Sequence, residues 1–267
     1  MFYNVHNGSI EIDDTEMDYI AFGTGEKNLV MIPGLGDGLR TAKGIAVPAA
    51  IMYRKLAKDY RVYAISRRNI LPQGFTTRDM AKDVYYAMEQ LKIQDASVIG
   101  VSQGGMISQY LAIDYPELVS KLILTVTLAR QNETVQRVIR EWIELAKKGD
   151  YKGIMMDTAE KTYSEKYLNK MRPMYSVISN IGKPESFERF LIMADACLTH
   201  DSSEELHKIK CPTLIIGGTE DHILTGEASK ELAEKIAGSR LHMYEGLGHG
   251  AYEEAEDFLD RVMEFTS

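Results

Sequence analysis

Cysteine is nearly absent from this chain. Cys197 and Cys211 are the only two in 267 residues, which excludes a disulfide-stapled scaffold, and their surroundings read as those of buried thiols. Long hydrophobic runs are missing too, since none approaches the roughly 20 residues needed to cross a bilayer. Positive charge is in deficit: 31 Lys and Arg against 39 Asp and Glu leave a net charge of −8. That excludes the clustered cationic surface on which non-specific nucleic-acid binding depends. The opening residues Met1 to His6 carry neither a basic nor a hydrophobic segment of a signal peptide, so a cytoplasmic location is expected. No internal repeat, low-complexity tract or long linker is visible. No His, Cys or Asp cluster has metal-ligand spacing, so neither a metal nor a cofactor is expected. What remains, 45% hydrophobic and 26% charged residues, is the composition of an ordinary globular enzyme. The length suits one α/β core carrying an insertion.

In order, Ser9 to Ile12 and Met17 to Phe22 alternate apolar and polar residues, the pattern of an antiparallel hairpin. Asn28 to Ile32 is a continuous apolar run, as expected of a strand covered on both faces. It ends in Pro33-Gly34-Leu35-Gly36-Asp37-Gly38, which reads as a flexible glycine-rich loop. A helical stretch near Pro48 to Lys58 precedes a buried strand, Tyr60 to Ser66. A helix capped by Thr76 or Thr77 follows, with Met80, Val84, Ala87, Met88 and Leu91 as its buried stripe. Val119 to Val126 is a further strand. Strand then helix, repeated, requires a parallel sheet with right-handed crossovers. The rhythm breaks at about Thr127. Residues 130–200 are helical in pattern, with Val135, Val138, Ile139, Trp142 and Leu145 on one face. It then resumes with Pro212 to Gly218 as strand, Thr225 to Ala237 as helix, Arg240 to Tyr244 as strand and Glu253 to Phe265 as helix. The expected organisation is an α/β core over 1–129 and 201–267, with residues 130–200 as a helical lid over the sheet's carboxyl edge.

The centre of this pattern is Val98-Ile99-Gly100-Val101-Ser102-Gln103-Gly104. Apolar β-branched residues lead into a G-x-S-x-G pentapeptide. Met106, Ile107, Tyr110 and Leu111 then recur as the stripe of an amphipathic helix. Strand, sharp turn and helix expose a serine hydroxyl above the sheet, with glycines where a Cβ would collide. The helix N-terminus beneath it receives developing negative charge. Serine also needs a base, itself oriented by an acid. Of six histidines, only His249 lies in a glycine-flanked loop directly after the last strand, on the edge that carries Ser102. At the end of the penultimate strand, Glu220 or Asp221 is placed to hold its imidazole. An oxyanion needs two N–H donors. Gln103, following the serine, and Leu35, in the loop after Ile32, are the candidates. That loop has Gly34-x-Gly36 without the third glycine of a dinucleotide motif, and no Lys-Ser/Thr follows. Arg67 and Arg68 stand at another strand's carboxyl end. A structural ion pair is the preferred reading for them over contact with a substrate anion.

With these residues in chain order, the sequence resembles the lid-bearing α/β-hydrolase superfamily of esterases, lactonases, proline iminopeptidase-like peptidases and carbon–carbon bond hydrolases. The resemblance covers nearly the whole chain. It implies an α/β-hydrolase fold: a mostly parallel eight-stranded sheet with helices on both faces and a helical lid insertion. It also implies Ser102 as nucleophile, Asp221 as acid, His249 as base, and N–H donors at Leu35 and Gln103. Pro33 stands where many members carry histidine; because the donor is a backbone N–H, the exchange leaves the hole in place. The loop lacks the Gly-Gly-Gly run of lipases, and a serine elbow argues against dehalogenases and epoxide hydrolases. The expected activity is hydrolysis of a small ester, lactone or thioester through an acyl-enzyme. The alternatives are a carbon–carbon bond hydrolase, a cofactor-free perhydrolase, or a non-catalytic or slow ligand receptor. The expected partner is a small-molecule substrate, with no nucleic acid and no membrane.

Overall fold

The computed structural model describes residues 3–178 and 182–267, with backbone only over 172–178. Met1 and Phe2, part of the N-terminal reading above, lie outside the described residues. Eight strands form one sheet in the order β1-β2-β4-β3-β5-β6-β7-β8. They are β1 (His6–Ile12), β2 (Thr15–Phe22), β3 (Lys27–Ile32), β4 (Tyr60–Arg68), β5 (Ala96–Val101), β6 (Val119–Thr125), β7 (Thr213–Gly218) and β8 (Arg240–Tyr244). The β1–β2 and β2–β4 pairings are antiparallel; every pairing from β4 to β8 is parallel. The helices are α1 (Ala46–Met52), α2 (Thr77–Gln90), α3 (Gln103–Asp114), α4 (Glu133–Lys147), α5 (Tyr151–Thr162), α6 (Glu165–Ile178), α7 (Glu188–Thr199), α8 (Gly226–Lys235), α9 (Ala251–Glu254) and α10 (Phe258–Thr266).

Strand pleating sorts the continuous apolar runs onto two faces. Val30, Ile32, Val98, Leu122, Leu124 and Ile215 pack with Met80, Val84, Met106 and Leu111 of α2 and α3. Their sequence neighbours Leu29, Ile99, Ile123, Leu214 and Ile216 pack on the other side with Ala50 of α1 and with Phe258 and Val262 of α10. Each fully buried aliphatic chain contributes about 1.5–3 kcal/mol relative to exposure, so a run without polar alternation is the signature of a strand with helices on both sides. Helix α2 begins with a capping box: the Asp79 N–H donates to Thr76 Oγ1 (3.1 Å) and the Thr76 N–H to Asp79 Oδ2 (2.9 Å).

Helices α4 to α7 run between β6 and β7. The chain leaves and re-enters the core side by side, at an isolated antiparallel bridge between Arg130 and Asp201, and the Ser202 N–H donates to the Ala129 carbonyl (2.9 Å).

Four local expectations are corrected. The glycine-rich loop after β3 is not slack: Leu35–Gly38 forms a 3₁₀ turn with the Asp37 side chain buried. Strand β4 continues through Arg67 and Arg68, because both guanidinium groups find internal partners. The stretch from Pro48 breaks after Met52, and Leu56–Lys58 re-forms as a 3₁₀ turn that buries Leu56 and Ala57. The last helix divides at Ala255, because its halves answer to different partners. Glu253 accepts from Tyr163 Oη (2.5 Å) and Glu254 from the Ser164 N–H (2.9 Å), whereas Phe258 and Val262 bury against the sheet.

His200, where α7 returns to the core, is buried against Tyr110, with Nδ1 2.9 Å from Thr77 Oγ1 of α2. Burial pushes its pKa down to about 4 from 6.5. A histidine held neutral in the native state stabilises fully above 6.5, and that contribution is lost as pH falls toward 4. Its size is about 3 kcal/mol. Thermal unfolding followed from pH 7 to pH 4 is expected to show a shallower fall in His200→Gln than in wild type.

Candidate active site

The chain goes from β3 outward to β4, then returns to β5 on the opposite side of β3. The loops leaving β3 and β5 therefore diverge and open a crevice at the carboxyl ends of the strands, where open α/β sheets bind ligands. Pairing of Ile32 with Gly100 brings Gly34 level with Ser102. Sheet register thus sets the loop after β3 beside the serine turn.

Ser102 has φ +54° and ψ −119°, outside the regions ordinarily open to a residue with a Cβ. Four bonds hold it there. Its N–H donates to the Thr125 carbonyl (2.9 Å), and its carbonyl accepts from the N–H groups of Gly105 (2.9 Å) and Met106 (3.2 Å) and from Thr127 Oγ1 (2.7 Å). The neighbouring glycines are steric necessities. A Cβ on Gly104 would lie 1.9 Å from the Ile32 carbonyl oxygen, and one on Gly100 would lie 2.3 Å from Ser108 Oγ and 2.5 Å from the Gly104 carbonyl oxygen. Gly34 brings the other loop near with less crowding: a Cβ there would stand 3.3 Å from Ser102 Cβ.

His249 lies in the turn after β8, with Nδ1 2.8 Å from Asp221 Oδ2. Of the two acids considered after β7, Asp221 holds the imidazole. Its other oxygen, Oδ1, accepts from the backbone N–H groups of Ile223 and Leu224, each at 2.8 Å. Burial alone would raise the Asp221 pKa. The adjacent His249 and these two N–H groups outweigh it and hold the carboxyl below its usual range. An ionised carboxylate only accepts, so the hydrogen bond between them is one that the His249 Nδ1–H donates to Asp221.

Ser102, His249 and Leu35 line one cavity of about 380 Å³. Its walls are largely apolar, with Trp142 from α4, Ile154 and Met155 from α5, Phe190 from α7 and Ile223. Among the described residues, no Lys or Arg lines it. Leu35 opens the 3₁₀ turn and Gln103 opens α3. The first N–H groups of such turns have no partner within the turn, leaving both donors available. The Gln103 side chain faces away from the cavity, donating through Nε2 to the Met193 carbonyl (2.6 Å).

Arg67 and Arg68 are both internal. Arg68 pairs with Asp83 of α2 through Nε (2.7 Å) and Nη2, and Arg67 pairs with backbone carbonyls and Asp37. Neither lines the Ser102 cavity. The ion pairs expected of Arg67 and Arg68 are present, but that Asp37 and Arg189 are the partners on the Arg67 side had no sequence signal, because they lie far from it in the chain and each in isolation looks like a surface charge. Thr127 was missed for the same reason: its one functional bond is to a residue 25 positions earlier.

The chain matches the alpha/beta hydrolase fold family over residues 27–256. It is 23% identical to 3-oxoadipate enol-lactonase 2 of Acinetobacter baylyi over 255 residues, 95% of this chain and 94% of that one. It is 28% identical to the putative non-heme bromoperoxidase BpoC of Mycobacterium tuberculosis over 257 residues, 90% of this chain and 93% of that one. Among solved structures, the enol-lactonase from Burkholderia xenovorans superposes with a TM-score of 0.82 at 22% identity, covering 97% of this chain and 99% of that one.

If the elbow is as tight as these distances require, Gly104→Ala must displace backbone. It is expected to cost about 3 kcal/mol or more, a fall of roughly 10 °C in melting temperature. Gly36→Ala, where a Cβ meets nothing within 4 Å, is expected to change stability by less than about 0.5 kcal/mol. Paired thermal melts of the two variants check this.

Proposed function

The chain belongs to the alpha/beta hydrolase family and is a hydrolase, and we propose that it cleaves a small, uncharged ester or lactone through an acyl-enzyme at Ser102. The observation that carries this is the hydrogen-bonded His249–Asp221 pair on the same cavity as a serine held in a strained strand-to-helix turn. In this reading Ser102 Oγ attacks the carbonyl carbon while His249 Nε2 takes the hydroxyl proton. Asp221 fixes the imidazole tautomer and stabilises the imidazolium. The tetrahedral oxyanion is held by the Leu35 and Gln103 N–H groups. Collapse breaks the bond to the leaving group, which receives the proton from His249. Water then attacks the acyl-enzyme by the same route, releasing the acid and restoring Ser102.

Residues 130–200 act as the lid, of which helices α4, α5 and α7 supply the apolar wall that excludes water. A cavity of about 380 Å³ suits a small substrate. The lack of Lys or Arg among its described lining residues favours a neutral acyl group over one bearing a carboxylate, which would be buried there without a counter-charge. The names of the relatives span lactone cleavage and peroxidation. Product analysis with and without hydrogen peroxide separates hydrolysis from perhydrolysis.

The test is turnover of a chain-length series of p-nitrophenyl esters. Ser102→Ala is expected to abolish it, and unchanged turnover in that variant would sink the mechanism. Asp221→Asn leaves a neutral amide facing Nδ1 and permits the wrong tautomer; kcat is expected to drop about 10,000-fold, with the melting temperature followed in parallel to separate chemistry from folding.

A further inference from the structure

Arg67 is a fully buried side chain of unusual size and charge for the interior of a sheet edge. Its guanidinium is only partly satisfied. Nη2 donates to the Pro33 carbonyl (2.5 Å), the Gly34 carbonyl (2.8 Å) and Gln103 Oε1 (3.3 Å), while Nε and Nη1 have no hydrogen-bond partner. Its nearest carboxylate, Asp37, stands 3.9 Å from Nε. Burial pushes the guanidinium down to about 10, which leaves it charged at neutral pH. A buried charge with incomplete partners is poor structural cement, and apolar packing of similar volume often does as well or better. What an apolar residue cannot do is hold the three oxygens on Nη2.

Two of those oxygens matter for the geometry of Ser102. The Gly34 carbonyl belongs to the same planar peptide unit as the Leu35 N–H, and in a trans peptide the two point in opposite directions. A cation fixed on the carbonyl therefore fixes the direction of the N–H and polarises it. Gln103 is the other proposed donor, and its side-chain oxygen meets the same Nη2. The network continues into the helical insertion. Arg189 of α7 bonds Asp37 Oδ2 (2.5 Å), the Asp37 carbonyl, and the carbonyls of Arg67 and Arg68 (2.9 Å each). Gln103 Nε2 reaches Met193 and Cys197 of the same helix.

We infer that Arg67 is a positioning residue for the oxyanion hole, orienting the Leu35 and Gln103 donors from behind, and that Arg189 locks this assembly to α7. The inference rests on the reading of Leu35 and Gln103 as donors. Helix α7 is then part of the catalytic scaffold rather than a cover that swings free of it.

The experiment compares Arg67→Lys, Arg67→Met and Arg189→Gln with wild type on one p-nitrophenyl ester. It also measures inhibition by a trifluoromethyl ketone, whose adduct with a serine carries an oxyanion. Ground-state affinity is read separately, as ester binding with Ser102→Ala added to each variant. Arg67→Met is expected to lose about 10- to 100-fold in kcat/KM, with a parallel loss in ketone affinity and ester binding within twofold. Arg67→Lys should recover part of the loss and Arg189→Gln should lose less. If the Arg67 variants do not fold, Arg189→Gln must show the same split by itself. Unchanged kcat/KM and ketone affinity in folded variants would overturn the inference, as would a loss that follows ester binding alone. A wild type indifferent to the ketone, with turnover surviving in Ser102→Ala, would instead remove the acyl-enzyme reading and the inference with it.

Discussion

The close approach of two loops at the middle of the sheet governs this molecule. Where β3 and β5 end side by side, the backbone after β5 turns at φ +54° through Ser102, and the Ile32 carbonyl of β3 leaves no room for a Cβ on Gly104. A strained non-glycine residue costs on the order of 1–3 kcal/mol and persists only where its surroundings over-determine it. Here they do: Thr125, Gly105, Met106 and Thr127 bond the serine backbone, and the sheet on either side is buried on both faces. The strain is held by the core, so the hydroxyl projects into the cavity without support of its own.

Around that point, two kinds of polar interior meet. On one side stands the His249–Asp221 pair, where a buried carboxylate is kept ionised by an imidazole and two peptide N–H groups. On the other stands the Asp37–Arg67–Arg189 network, where two guanidinium groups share one buried carboxylate. Burial by itself would raise Asp37; the charges of Arg189 and Arg67 overcome it and hold the carboxyl below its usual range. Neither charged network opens a cation onto the cavity, whose described walls are mainly apolar. In the reading proposed above, charge orients peptide groups and the substrate meets mostly hydrocarbon.

The insertion is bound to this arrangement more firmly than a simple cover would be. Its last helix contributes Arg189, Met193 and Cys197 to the polar network behind the loop after β3. Its earlier helices contribute Trp142, Ile154 and Met155 to the cavity wall. Tyr163 and Ser164, between α5 and α6, bond the glutamates that follow His249. Both sides of the proposed catalytic apparatus therefore lean on the same inserted segment.

Much of this was legible in the chain. Continuous apolar runs marked the strands covered on both faces, because pleating requires apolar residues at every position there. The pentapeptide at Ser102 marked the turn, because it puts glycines at 100 and 104, where a Cβ would collide with the neighbouring backbone. His249 and the adjacent acids Glu220 and Asp221 were legible as residues at strand ends on one edge, a consequence of parallel topology alone. Local pattern was silent where a bond joins residues far apart. The 3₁₀ turn at Leu35–Gly38 looked like a loose loop because its anchor, Arg67, lies on another strand. The terminal helix looked continuous because its break at Ala255 is imposed by Tyr163 and Ser164 some 90 positions earlier. Sequence alone determined which elements form and which edge carries the chemistry, since hydrophobic periodicity and turn geometry are local. The tertiary structure decided which acid meets His249, which arginine is buried and what holds the loop beside Ser102, since these depend on register and on partners the chain brings together only by folding.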